Sequence, residues 1–222
     1  MARITWDGVG EKLFETGTDR GVLYIQDKGA YPKGVAWNGL TSVTESPSGA
    51  DENAFYADNI KYGSLRGAEE FGGTINCYAY PDEWAECDGS INVVPGVALG
   101  QQKRKPFGFS YRSLIGNDAD GIDHGYKIHL IYNATVSPSE AEYQTVNDSP
   151  EGIEFSYEFT TTPIPVNSVP GAKPVARLTI DSTKVKAEQL KTLEDKIYGT
   201  AEAEASLPLP DDVIAMFPKT EG

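Results

Sequence analysis

A chain of 222 residues, 39% of them hydrophobic, can bury the core of one domain and is too apolar to be disordered. Nineteen lysines and arginines against 33 aspartates and glutamates give a net charge of −14, which argues against a protein that grips nucleic-acid phosphates. The same acidity suits a surface past which a polyanion slides without sticking, although on charge alone plain solubility is the better account.

The first residues, MARITWDGVGEKLFETG, carry Asp7, Glu11 and Glu15 where a secretory leader requires an apolar run. No stretch approaches the roughly 20 apolar residues of a membrane span. Synthesis in a cytoplasm without membrane insertion is the expectation. The 23 glycines and 14 prolines imply many turns and so many short strands. Alternation between turn residues predicts strands near Gly21–Ile25, Gly34–Thr44, Ala54–Tyr62, Phe71–Tyr80, Ile91–Leu99, Pro106–Ile115, Gly125–Val136, Gly152–Thr162 and Pro174–Asp181. Loops are expected at Gly29–Pro32, Pro47–Asn53, Gly116–Gly125, Ser137–Pro150 and Pro163–Lys173. Pro81–Glu86 reads as a short helical turn with Pro81 at its start. Cys77 and Cys87 are the only cysteines, too few for a zinc framework, and are expected as free thiols in a reducing cytosol.

Between Arg104 and Pro163 three runs alternate with period two. Phe107, Phe109 and Tyr111 alternate with Gly108, Ser110 and Arg112. Tyr126, Ile128, Leu130 and Tyr132 alternate with Lys127, His129, Ile131 and Asn133, Ile131 being an apolar intruder. Ile153, Phe155, Tyr157 and Phe159 alternate with Glu154, Ser156, Glu158 and Thr160. Successive side chains of a strand point to opposite faces, so each run predicts one aromatic-rich core face and one polar face turned to water or to a partner.

One helix is expected at Val185–Tyr198, with Leu190, Leu193 and Ile197 on one side and Gly199 as its stop. The tail LPLPDDVIAMF is apolar, and Pro208 and Pro210 keep its first part extended. It needs a groove, in its own subunit or in a neighbour. From Ile128 to Ala172 there is no Lys or Arg, while Glu140, Glu142, Asp148, Glu151, Glu154 and Glu158 fall there. Lys103, Arg104 and Lys105 form one compact basic cluster. Such patches dock subunits head to tail or are unrelated solvated faces.

Catalytic and metal chemistry finds little support. Asn117–Asp123 resembles a calcium loop, but with Gly121 as the turn glycine the first and last ligand positions fall on Gly116 and Lys127. A solvated hairpin turn is the better account, with a weak site through Asp118, Asp120 and Asp123 as the alternative. His124 and His129 do not match a helical zinc pair. Glu154 and Glu158, i and i+4 on a strand, stand about 13 Å apart by rise alone, beyond either glycosidase geometry. There is no phosphate loop and no nucleophile elbow. No cofactor, no metal and no enzymatic activity are expected.

The segment RKPFGFSYRSLIGNDADGIDHGYKIHLIYNATVSPSEAEYQTVNDSPEGIEFSYEFTTTP resembles the major tail protein of long-tailed bacteriophages. So, in order, do WDGVGEKLFETGTDRGVLY, GVAWNGLTSVTESPSGA, YPDEWAECDGS, ARLTIDSTKV and LEDKIYGT, so that the resemblance covers nearly the whole chain. It implies a mainly β fold, a tail-tube-type β-sandwich or open barrel with one flanking α-helix and extended loop and terminal arms. It implies a single domain over residues 1–222, with an N-terminal arm at 1–18 and a C-terminal arm at 201–222. Six subunits would form a ring, and rings would stack into a hollow virion tail tube that conducts DNA into the host. The partners implied are further copies of the chain, a tape-measure protein and the terminator and distal tail proteins. DNA would pass without specific binding, and assembly would occur in the bacterial cytoplasm.

On this resemblance the expected lumen face is Glu154, Ser156, Glu158 and Thr160, with Lys127 and His129 on a neighbouring strand. Contacts between subunits are expected from the loop Ser46–Asp58, through Phe55 and Tyr56. The C-terminal arm, through Leu207, Leu209, Val213, Ile214 and Phe217, is expected to reach a neighbour. The alternative from another class is a β-sandwich carbohydrate- or receptor-binding module, which the many aromatics and the acidic loop also suit. A glycoside hydrolase ranks third, with no acid–base pair identified.

Overall fold

The computed structural model describes residues 4–49, 51–146, 148 and 152–218. In chain order the strands are β1 (Phe14–Ile25), β2 (Gly34–Trp37), β3 (Leu40–Glu45), β4 (Ser48–Gly49), β5 (Glu52–Ala57), β6 (Ile60–Arg66), β7 (Glu69–Glu70) and β8 (Gly72–Cys77). A 3-10 turn at Asp82–Trp84 and α1 (Ala85–Asp88) follow, then β9 (Ile91–Val94), β10 (Val97–Leu99), β11 (Phe107–Asn117), β12 (Gly121–Val136), β13 (Phe155–Thr161) and β14 (Arg177–Asp181). Two helices close the chain, α2 (Ala187–Tyr198) and α3 (Pro210–Met216). The fold is mainly β, as the alternation and the turn residues imply.

Eight strands form one antiparallel sheet in the order β2-β1-β11-β12-β13-β8-β3, with β14 also beside β12. Strand β12 is the pivot. One of its edges pairs with β11. The other pairs with β14 over Lys127–Ile131 and with β13 over Ala134–Val136. Between these stretches the β11 register slips, Phe107 opposing Ala134 but Phe109 opposing Ile131, and Asn133 takes a positive φ of 48°. An extra residue in one strand bends it and increases its twist. The bent conformer is held by polar contacts: the Asn133 amide donates to Tyr31 Oη (2.8 Å) and Asn133 Nδ2 to the Thr162 carbonyl (3.0 Å). Beyond the bend, β13, β8 and β3 fold back over β1 and β11. At Gly21 of β1 a methyl group would lie 3.3 Å from Leu40 of β3, so glycine permits that approach.

The curled sheet makes two cores. Inside the curl lie Leu23, Trp37, Ile75, Trp84, Phe107, Phe109, Ile131 and Phe159, with Tyr157 packed against them. Trp84 contacts Trp37, Phe107 and Tyr157 edge-on at centroid distances of 4.7–5.0 Å. On the other face of β1, β11 and β12, the side chains of Tyr24, Ile128, Leu130 and Tyr132 meet Leu190, Leu193 and Ile197 of α2, and Leu207 and Val213 of the C-terminal segment. The buried Tyr24 hydroxyl donates to the Ile197 carbonyl at 2.7 Å, locking sheet to helix.

These layers correct several expectations. Gly108 and Ser110 are buried beneath the helical layer rather than wet. Ile131 is no intruder but a core residue of the other layer, because the middle of β12 is covered on both faces. Three expected single strands are each two strands joined by a turn; the last two are hairpins, while in the first β2 pairs with β1 and β3 with β8. Gly34–Thr44 turns at Asn38–Gly39, where Gly39 has a φ of 75°. Ala54–Tyr62 turns at Asp58 and Asn59, with φ of 52° and 61°, the pair of positive values a two-residue type I′ turn requires. Ile91–Leu99 turns at Pro95–Gly96. The expected loop Gly116–Gly125 is shorter, since strand continues to Asn117 and resumes at Gly121. Within the expected N-terminal arm, residues 14–18 are already strand β1.

Candidate functional site

The sheet carries one polar face with no layer over it among the described residues. On β13, Ser156, Glu158 and Thr160 are exposed, while Phe155, Tyr157 and Phe159 point to the core. Register sets Ser156 opposite Asn76, Glu158 opposite Thr74 and Thr160 opposite Gly72 of β8. Those in turn oppose Ser42 and Thr44 of β3, and Asn76 Nδ2 donates to Ser42 Oγ at 2.9 Å. On the far side Thr160 opposes the exposed Thr135 of β12. Hydroxyls and amides therefore run across four neighbouring strands, and Glu158 is the one charged side chain among these residues. Glu154 lies just before β13 and accepts a hydrogen bond from Thr41 Oγ1 at the edge of this face. Glu151 and Ala50 lie outside the described residues.

Lys127 and His129 do not belong to this surface. Their stretch of β12 pairs with β11 and β14, and both side chains point into the mouth of the curl. His129 stacks on Tyr111 at 4.5 Å with 6° between the rings, bonds Ser113 Oγ at 2.9 Å and lies 3.8 Å from Glu45. Glu45, from β3, also accepts from Tyr111 Oη at 2.9 Å and pairs with Arg177 of β14, so it ties the folded-back strand to the opposite wall. Lys127 pairs with Glu15 of β1. Burial holds the imidazole below its ordinary pKa, partly offset by Glu45. Alternation along β12 could not show this, because which side of a curled sheet a face looks toward is decided by pairings far along the chain.

The residues from β4 to β7 form a projecting arm. β4 pairs with β7 at its base, and β5 with β6 beyond. Along this ribbon Phe55, Tyr56, Ile60, Tyr62 and Leu65 are 45–72% exposed. Phe55 and Tyr62 support each other at 6.0 Å, and Glu52 pairs with Lys61 at 2.6 Å. A two-stranded ribbon is marginally stable alone, and one this apolar is built to be covered.

The C-terminal segment, expected to reach a neighbour, lies on its own subunit. The Leu207 amide donates to the Tyr31 carbonyl (3.1 Å), and Tyr132 Oη donates to the Pro208 carbonyl (3.0 Å). Leu207 and Val213 are buried, Phe217 packs against the same core and Ile214 is half-buried, which leaves Leu209, at 39%, the most exposed of these apolar side chains. Helix α3 begins with Pro210 and caps the loop before β14 through Asp211, whose carboxylate accepts from the amides of Asn167 and Ser168. The Ser168 hydroxyl, which donates to the same carboxylate at 2.6 Å, and then these amides hold the Asp211 carboxyl below its ordinary pKa.

The Asp-rich turn spends its side chains on protein partners. Asn117 Oδ1 accepts from the amides of Ala119 and Asp120. Asp118 Oδ1 accepts from the amides of Gly10 and Lys12, and Asp120 contacts His124 Nδ1 at 3.0 Å. Among the described residues no group of three or more His, Cys, Asp or Glu could hold a metal ion, and no helix is long and apolar enough to cross a membrane.

Solved structures similar to the chain include three of sheath–tube, terminator and cap assemblies. A sheath–tube complex of a PVC extracellular contractile injection system in its extended state is 13% identical, covering 73% of this chain and 88% of its own, with a TM-score of 0.30. The sheath/tube terminator of such a system is 13% identical, covering 72% and 93%, with a TM-score of 0.30. The tube-terminating cap of the anti-feeding prophage is 12% identical, covering 82% and 97%, with a TM-score of 0.32. Comparison with curated proteins finds no match. The family model described as phage tail tube protein matches residues 30–202, from before β2 to beyond α2. A mainly β chain matched over most of its length, with an uncovered polar sheet face and an apolar arm, belongs to the phage tail tube protein family and is a structural tube protein.

Proposed function

We propose that six copies close into a ring, that rings stack into the hollow tail tube, and that DNA passes through its lumen during ejection. The observation that carries this reading is the continuous polar face across β12, β13, β8 and β3, at the end of which β3 terminates the sheet order. A terminal strand needs a cover, and the next subunit of a closed ring supplies one. Four strands from each of six subunits make a barrel of 24. At about 4.8 Å per strand and a tilt near 40°, it closes to a backbone diameter of roughly 45–50 Å. Inward side chains leave roughly 35–40 Å, enough for a hydrated duplex.

The lumen chemistry suits passage rather than binding. Ser42, Thr44, Thr74, Asn76, Ser156 and Thr160 carry no charge, and Glu158 repels phosphate. No lysine or arginine is among them to neutralise phosphates, so no condensed counterions are released from the DNA and no affinity is gained that way. The projecting arm reaches another subunit, in the same ring or the next. A tape-measure protein inside the tube and terminator proteins at its ends complete the assembly, which forms in the host cytoplasm and becomes part of the virion tail. The chain performs no catalysis in this role.

Glu158→Lys tests the reading. The side chain is exposed, so tubes should form with normal width, while DNA ejection should slow as each ring gains six cations in place of six anions. Normal tubes with unaltered ejection kinetics would remove this face from the lumen.

A further inference from the structure

Two ends of the molecule carry apolar surface that no described residue covers. At one end the segment from Ile4 to Leu13 is pinned over the β11–β12 turn. Asp118 Oδ1 accepts from the amides of Gly10 (3.0 Å) and Lys12 (3.3 Å), and Asn117 Nδ2 donates to the Gly10 carbonyl (3.3 Å). So held, the segment turns Trp6, Val9 and Leu13 outward, 78, 90 and 61% exposed. At the other end the β9–β10 hairpin is moored to α1: the Gln102 amide donates to the Gly89 carbonyl (2.8 Å) and the Lys105 amide to the Glu86 carbonyl (2.9 Å). Ile91 and Leu99 are directly paired on this ribbon, and with Val93 and Val97 they are 50–56% exposed. A two-stranded ribbon with that much aliphatic side chain in water is marginal without a cover.

The two surfaces sit at opposite ends of β11, so one copy cannot join its own pair. The eleven residues of that strand hold them roughly 30 Å apart. Local charge differs as well. At the root of the hairpin Lys103, Arg104 and Lys105 cluster beside Asp82, Glu83, Glu86 and Asp88 of the 3-10 turn and α1; Lys105 pairs with Glu86, and Lys103 is exposed. Over residues 4–13 and 117–123 the sequence contains Asp7, Glu11, Asp118, Asp120 and Asp123 against Lys12.

We propose that the β9–β10 hairpin of one copy seats on the N-terminal segment and β11–β12 turn of a second copy, head to tail. The inference rests on the tube reading above and names the surfaces of one of its contacts. Val93 and Val97 meet Trp6 and Val9, and Lys103 at the root of the hairpin faces Asp7 and Glu11. A contact whose two halves lie at opposite ends of one subunit is heterologous, and where successive copies are related without a closing rotation it grows along an axis.

Cysteine cross-linking tests the contact. Both native cysteines are buried, which leaves engineered thiols at exposed Val9 and Val97 as the accessible pair. Under mild oxidation the double variant Val9→Cys/Val97→Cys should give a ladder of disulfide-linked oligomers on a non-reducing gel. An equal mixture of the two single variants should stop at dimers, and each single variant alone should stay monomeric. Monomer throughout, or equal cross-linking from a single variant alone, overturns the contact. Electron microscopy of the wild-type protein judges the tube reading separately. Tubes without a ladder keep the tube and remove this contact. Cross-links without tubes keep the contact and remove the tube.

Discussion

Gly108 sits where β11 passes beneath the C-terminal segment, and a methyl group there would lie 2.5 Å from Leu207 Cδ2 and 3.2 Å from the Tyr31 ring. Gly108→Ala must therefore displace Leu207, at a cost of about 1–3 kcal/mol. Leu207→Ala leaves a cavity in a closed core, at a cost of about 2–5 kcal/mol. The two should not add. Trimming Leu207 makes room for the new methyl, so urea denaturation of the double variant should show it more stable than the sum predicts, by about 0.5–3 kcal/mol. Strict additivity would mean that the segment does not bear on β11. His129 gives a pH prediction at the same scale. Its folded pKa lies below its ordinary value of 6.5, burial being the larger cause, while Glu45 and Glu15 raise it and Arg177 and Lys127 lower it. The neutral imidazole is thus the form the fold prefers. Its contribution is complete above the unfolded pKa and is lost as pH falls from about 6.5 toward the lower folded value. Thermal unfolding of the wild type should weaken across that window more than that of His129→Phe. Parallel curves would show that the mouth of the curl is open to water.

Among elements, the C-terminal segment and the arm now separate two effects that the sequence left merged. Truncation after Ser206 removes Leu207 and Val213 from the helical core, so it should lower the monomer's melting temperature rather than act on tube growth alone. Tyr56→Ser with Tyr62→Ser touches side chains that are 70 and 72% exposed, so the monomer should melt normally while tube growth stops. Normal tubes from the tyrosine double variant would show that the arm is not a contact. The first half of β11 and most of β13 are legible because Phe107–Arg112 and Phe155–Thr160 alternate with period two. Helix α2 is legible through Leu190, Leu193 and Ile197. Helix α3 has its own signal in the residues: Pro210 at the first turn, followed by Asp211 and Asp212, is a helix start. The Asn38–Gly39 and Pro95–Gly96 turns were also written in the residues. What local pattern could not carry was the second layer over β12. The same alternation that put Ser156 and Glu158 on the uncovered face put Lys127 and His129 there too, and only the pairing of β14 and the return of Glu45 on β3 separate them.

For the whole molecule, two electrostatic effects compete in assembly, and ionic strength selects between them. Every subunit carries −14, so copies repel one another as bodies. At about 0.01 M salt the screening length is about 30 Å, comparable to the subunit, and this repulsion acts over the full approach. Near 0.15 M it shrinks to about 8 Å, and only charges close to contact still interact. There the proposed pairing of Lys103 with Asp7 and Glu11 attracts while the bodies no longer repel. At about 1 M the length is about 3 Å and the local attraction fades too. The critical concentration for tube growth, measured by sedimentation, should therefore fall from low to intermediate sodium chloride and rise again at high salt. Lys103→Glu makes the local term repulsive, so its critical concentration should fall throughout, with no minimum. A minimum that survives in Lys103→Glu would place the salt-sensitive attraction on some other pair of surfaces. A wild-type curve that falls steadily would show body repulsion to be the only electrostatic term that assembly feels, leaving the apolar ribbon and the N-terminal segment to hold the contact by burial alone.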